Sequence, residues 1–180
     1  AWAWGGGGGW VGAVRGLGRD TGGAGCGARG GPYIPIGVGC VPNCGVTTAG
    51  TVKCWGGDRD GRVSGAPAGT FTQVSGGDYH NCGVTTAGAV KCWGRDKEGQ
   101  VSGAPGGTFT QISVGGVHNC GVTTAGTVKC WGSERDGRVS DAPAGTFTQV
   151  SAGDKHNCGG TTPGAVKGWG DAPHGLEIGR

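Results

Sequence analysis

The chain has 180 residues, a net charge of +3 and no methionine; 47 residues are glycine, 34% are hydrophobic and 15% charged. A balance this close to neutral gives no electrostatic ground for nucleic-acid binding, and no stretch reaches the roughly 20 apolar residues that span a bilayer. Bulky apolar residues are too few for burial alone to hold a fold, so the nine cysteines are read as the compensation of a small-core secreted domain in an oxidising compartment.

Residues 1–32 begin AWAWGGGGGWVGAVRGLGRD, the composition of a flexible linker. They lack the basic start and long apolar run of a signal peptide and the Lys-Ser/Thr step of a phosphate loop. The chain therefore reads as a processed or partial product, and secretion rests on cysteine usage. From residue 33 onward Cys44, Cys82, Cys120 and Cys158 recur 38 residues apart, giving copies at 33–70, 71–108, 109–146 and 147–180. A period of this size marks a repeat architecture, because one short unit must stack on a neighbour to bury its apolar face. Copies two and three are identical at 26 of 38 positions. The end copies depart most: Pro42 replaces the repeating histidine, Gly168 replaces the second cysteine, and the fourth copy ends soon after its tryptophan.

Within each copy the elements are strands. In the second copy these are FTQVS (Phe71 to Ser75), HNCGVTT (His80 to Thr86), AVKCWG (Ala89 to Gly94) and a short fourth strand at GQVS, all β-branched or aromatic segments broken by glycine. Gly88 stands where a three-residue hairpin loop needs a left-handed residue, which folds Cys82 opposite Cys92. Cross-strand partners lie about 4.5–5.5 Å apart at Cβ, within reach of a disulfide, so the expected bridges are Cys44–Cys54, Cys82–Cys92 and Cys120–Cys130. Zinc is the rival, disfavoured because no second Cys-x2-Cys pair completes a tetrahedral site. Cys26, Cys40 and Cys158 remain as possible intermolecular cysteines, and one of the three must stay free or pair with another chain.

No acid, base and nucleophile set rises above a structural explanation, so no enzyme activity, cofactor or metal is expected. His80, His118 and His156 are read as turn-ordering hydrogen-bond donors, and Trp55, Trp93, Trp131 and Trp169 as core packing. The acidic loops GGDRDGR, GRDKEGQ and GSERDGR are read as solvated turns in preference to weak Ca²⁺ ligands. Thr85, Thr86, Thr123 and Thr124 are candidate O-glycosylation positions at exposed turns.

A strand meander puts its first and third loops on one face and its second loop on the other. The first and third loops vary most between copies, which makes Asp78, Tyr79, Arg95, Asp96, Lys97, Glu98, Val117, Glu134, Arg135 and Asp136 the candidate partner-binding residues. The opposite face repeats TTAG and GAP-GT almost unchanged.

The run HNCGVTTAGAVKCWG, followed by an acidic-Gly step and GQVSG, resembles the repeats of the regulator of chromosome condensation family, particularly its cysteine-bearing bacterial and extracellular versions, over residues 33–180. The resemblance implies an all-β chain of four-stranded antiparallel blades, as in a β-propeller, stapled by hairpin disulfides. Family rings carry more blades than these four copies, so a partial ring or open array is expected. The family's exchange of guanine nucleotide, ultraviolet sensing and β-lactamase inhibition do not carry over residue by residue. Two functions follow. One is a non-catalytic extracellular structural protein that self-assembles into an oligomer or filament, as identical units meeting head to tail can do. The alternative is a secreted recognition or inhibitor module binding another protein through the 76–79 and 95–98 loops. Neither involves nucleic acid or membrane insertion.

Overall fold

The computed structural model describes residues 33–38, 42–171 and 177–178, with side chains over 43–171. The tail 1–32, with Cys26, and Cys40 lie outside the described residues. Strands β1 (Tyr33–Val38), β2 (Pro42–Thr47) and β3 (Val52–Gly56) form the first sheet, and β4 (Phe71–Gly76), β5 (His80–Thr85) and β6 (Val90–Gly94) the second. The third is β7 (Phe109–Val114), β8 (His118–Thr123) and β9 (Val128–Gly132). The fourth is β10 (Phe147–Ala152), β11 (His156–Thr161), β12 (Val166–Gly170) and β13 (Glu177–Ile178). All neighbours are antiparallel, and each sheet lays its first strand on the sheet before it: β4 on β1 and β2, β7 on β4 and β5, β10 on β7 and β8. The result is an open arc of blade-like sheets, one per repeat.

The core lies at the seams between sheets. Between the second and third repeats it contains Cys82 and Val84 from one side and Phe109, Ile112, Val114 and Trp131 from the other, and all of these positions but that of Val114 recur at both other seams. Phe71 and Val74 are both buried although three apart, which strict alternation forbids. A bulge resolves this: Phe71 faces Thr85 and Gln73 faces Val84, so one extra residue, Thr72, shifts the face. The glycines after Cys82, Cys120 and Cys158 are each fixed by the same phenylalanine of their own repeat. A Cβ on Gly121 would lie 2.8 Å from the Phe109 ring and 3.0 Å from the Gln111 carbonyl oxygen, so the ring can lie flat against the strand only where no side chain exists.

The hairpin between β5 and β6 closes as its sequence demands. Thr85 N–H donates to Ala89 O and Gly88 N–H to Thr85 O, both at 2.8 Å, with Gly88 at φ +83°. This register sets Cys82 against Cys92, and the structure holds disulfides Cys44–Cys54, Cys82–Cys92 and Cys120–Cys130 with Cα separations of 4.0–4.1 Å. Cys158 is a free thiol facing Gly168.

One expectation changes. The fourth strand expected at GQVS is a chain of turns in the second repeat. Gly99 adopts φ +71°, Gly103 N–H donates to Gly99 O at 3.0 Å, and Asp96 Oδ1 accepts from Val101 N–H (2.8 Å) and Ser102 N–H (3.0 Å). β-Propensity at one valine loses to a carboxylate that pins two backbone donors. In the fourth repeat β13, eight residues past Trp169, pairs with β12 through Val166–Ile178 and Lys167–Glu177.

Gly121→Ala is expected to destabilise the chain by roughly 1–3 kcal/mol, as overpacking against a ring and a carbonyl does. Gly106→Ala, where a Cβ meets nothing within 4 Å, should stay within about 0.5 kcal/mol. Urea titration of both variants measures the difference, and equal midpoints would refute the close-approach account.

Candidate functional site: the rim above the repeat seams

Each rim loop is positioned by a buried polar seam. Asn119 enters the second repeat from the third: its Nδ2 donates to Gln100 O at 2.8 Å, and its Oδ1 lies 2.7 Å from His80 Nε2. Because the amide nitrogen is committed to a carbonyl, the oxygen must accept, so His80 carries its proton on Nε2. Trp131 Nε1–H donates to the same Gln100 carbonyl at 3.1 Å. The next seam repeats the pattern with His118, Asn157, Trp169 and the Arg138 carbonyl. The histidines therefore bind 39 residues ahead, across repeats, and are not the turn-ordering donors expected from sequence. His156, with no repeat beyond it among the described residues, is exposed. Trp93, Trp131 and Trp169 are buried packing residues, and Trp55 is half-buried.

Above the first seam the rim loops enclose a cleft of about 560 Å³ lined by Arg59, Asp60, Arg62, Asp78, Tyr79, Arg95 and Lys97. Sequence reasoning placed Asp78, Tyr79, Arg95 and Lys97 on one rim, and the structure brings these four together. It missed Arg59, Asp60 and Arg62, which come from the preceding repeat. Buried Arg62 ties the two repeats by donating from Nε to Arg59 O and from Nη1 to Asp78 O, both at 2.7 Å. The Arg95 guanidinium stacks 4.8 Å from the Tyr79 ring centroid.

Asp96 is exposed and occupied with pinning residues 101–102. Its counterpart Asp58 does the same for Val63 and Ser64, and the Ser64 backbone N–H, followed by its side chain and the Val63 N–H, holds the Asp58 carboxyl below the usual carboxylate range. The acidic loops are thus turn pins. Glu98, Val117 and Arg135 line the smaller cleft of the next seam, about 250 Å³. Glu134 receives Ser140 N–H at 2.9 Å, and Asp136 pairs with Arg138 at 3.6 Å. On the opposite face Thr86 and Thr124 are exposed and hydrogen-bond Thr70 and Thr108, while Thr85 and Thr123 accept backbone N–H groups of their own hairpins. Among the described residues no group of three His, Cys, Asp or Glu side chains is placed to hold a metal ion, and no helix is long and apolar enough to cross a membrane.

The seam histidines give the fold a pH response. Burial, partly offset by the Asn119 acceptor, pushes His80 down to about 4, and burial also lowers His118. The folded value lies below the ordinary value of about 6.5, so the unfolded chain takes up the proton first as pH falls. Stability is then full above about pH 7 and declines between 6.5 and 4, by on the order of 3 kcal/mol for His80. Urea unfolding at pH 7 and pH 4.5 reads this slope. His80→Gln, which keeps a donor for Asn119 but no titratable group, should flatten it, and an unchanged slope would contradict the assignment.

Residues 71–100 and 109–138 each match the family described as Regulator of chromosome condensation (RCC1) repeat. No curated protein matches the chain. Solved structures similar to it include the CRINKLY WD40 ectodomain of the Arabidopsis thaliana receptor kinase ACR4, at 26% identity and TM-score 0.66, covering 79% of this chain and 51% of that one. The entire ectodomain of the Physcomitrella patens receptor kinase CR4 aligns at 27% identity and TM-score 0.68, covering 78% and 41%. Yeast RCC1 (Prp20), solved bound to Kap60, aligns at 15% identity and TM-score 0.66, covering 77% and 44%, a likeness of fold alone. The chain spans about half or less of the length of these proteins. The second and third repeats thus match the regulator of chromosome condensation (RCC1) repeat, and the period and the seam-by-seam packing carry the same unit into the first and fourth.

Proposed function

We propose that the chain is a non-catalytic extracellular protein-interaction module that engages its partner through the rim formed by loops 76–79 and 95–98 with the 59–62 turn. The observation that carries this reading is the contrast between seam and rim. Seam residues are copied from repeat to repeat and committed to one another, whereas the rim above them changes charge and shape at each repeat and bears exposed Tyr79. Three disulfides and likeness to two receptor-kinase ectodomains support an extracellular setting. The buried histidines are engaged in the seams, which favours binding over catalysis.

Lysine footprinting tests this, because the two sides of the arc carry different lysines. Lys97 and Lys155 line the rim clefts, while Lys91 and Lys129 lie beside the opposite loops, near the Ala68 and Gly106 carbonyls. A partner cross-linked from the extracellular fraction of the source should shield Lys97 and Lys155 from acetylation and leave Lys91 and Lys129 reactive. Shielding of the latter pair alone would overturn the rim reading.

A second reading is self-association, favoured by one specific observation. Gln111 exchanges two hydrogen bonds with the backbone of Val150, and Ser113 accepts from Ala152 N–H at 2.9 Å. Their counterparts Gln149 and Ser151, with His156, are exposed on the last repeat. This end presents the chemistry that joins one repeat to the next, and a second copy could occupy it. Light scattering should then show concentration-dependent association that Gln149→Ala/His156→Ala abolishes; a monomer at all concentrations would exclude it.

A further inference from the structure

We propose that the cleft at the seam between the first and second repeats binds an acidic segment of a partner protein, with Arg59, Arg95 and Lys97 receiving its carboxylates against the Tyr79 ring. This rests on the rim reading and names the chemistry the rim recognises.

The chain contains its own comparison, because the same scaffold position recurs at each seam 38 residues on. Tyr79 becomes Val117 and then Lys155, and Arg95 becomes Ser133 and then Asp171. Only the first seam joins an exposed aromatic ring to a stacked guanidinium. Its charges are also unanswered. Among the described residues the one ion pair is Arg138–Asp136, at the third seam, so Arg59, Arg95 and Lys97 have no carboxylate within pairing distance although Asp60 and Asp78 line the same cleft. Arg95 Nε is buried with no hydrogen-bond partner among the described residues, a donor whose desolvation none of them offsets.

A guanidinium held flat on an aromatic ring presents a planar fork that matches a carboxylate bidentately. Arg62, committed to Arg59 O and Asp78 O, is a positioning residue that fixes the spacing of the two loops. The rim does not suit an extended polyanion. Glu98 lines the second cleft, and Glu134 and Asp136 lie exposed farther along the rim, so a polymer following it would meet like charge. A short acidic stretch fits the single positive seam.

The third repeat also supplies the test. Tyr79→Val/Arg95→Ser installs residues the same scaffold already carries at 117 and 133, so folding should be retained, with thermal unfolding as the check. A fluorescein-labelled peptide of six glutamates is titrated into the full chain at low salt. Binding is expected, weakened about tenfold or more in the double variant and falling with added salt. The gain-of-site variant Val117→Tyr/Ser133→Arg, in the wild-type background, should add a second binding site. Absence of peptide binding, equal binding by the double variant, or selective binding of a sulfated oligosaccharide that the peptide does not displace would each overturn the proposal. If the peptide fails while footprinting still maps a partner to Lys97 and Lys155, this inference falls and the rim reading stands; shielding confined to Lys91 and Lys129 removes the rim reading itself.

Discussion

Asn119 and Asn157 each reach from one repeat into the one before it, giving both halves of a buried amide to groups of that repeat: a carbonyl that takes Nδ2 and a histidine that meets Oδ1. Apolar burial alone would let two glycine-rich sheets slide, because it is non-directional. A buried amide left unsatisfied costs about 1–3 kcal/mol, so only one offset between sheets is tolerated. That offset also satisfies Gln73 with the Ile112 backbone and Ser75 with Val114 N–H. A thin core becomes a defined arc because its polar contacts all specify the same register.

The first seam is built on weaker terms. Pro42 stands where His80 and His118 stand, and Pro35 where Gln73 and Gln111 stand; neither side chain can make those bonds. Asn81 Nδ2 still donates to Arg62 O at 2.9 Å, but Asn81 Oδ1 is buried with no hydrogen-bond partner. Arg62 reaches Asp78 O on the rim, as Arg138 reaches Asp154 O at the third seam, where His118 also bonds Asn157. At the first seam the rim tie remains while the buried histidine bond beneath it is absent.

What could be read from the sequence was what is local. The period shows as plain identity between copies, while the hairpin turn at Gly88 and the facing of Cys82 and Cys92 lie within one short hairpin, where turn chemistry decides them. The His80–Asn119 pair could not be read so, because it links residues 39 apart whose meeting depends on the direction in which sheets stack. GQVS misled for a related reason: its valine favours a strand, yet the Gln100 carbonyl is taken by Asn119 and Trp131 of the next repeat. The rim was legible as loop variation, but only half of it. Arg59, Asp60 and Arg62 belong to the repeat before, and assigning them to the cleft requires knowing that a seam, and not a single blade, is the unit that builds a site.

That unit also joins the rim to the stability of the arc. The cleft at the first seam spans two repeats whose buried connection lacks the histidine and glutamine links found farther along. A ligand held between Arg59 on one side and Arg95 on the other would therefore supply a contact across the seam that has fewest of its own. By mass action, a group that binds only the assembled seam stabilises it by an amount that grows with the logarithm of ligand concentration above its Kd. At the second and third seams the same ligand would add little, since histidine, asparagine, glutamine and serine already fix the register there. The rim is thus most elaborated above the one seam whose buried polar links are incomplete.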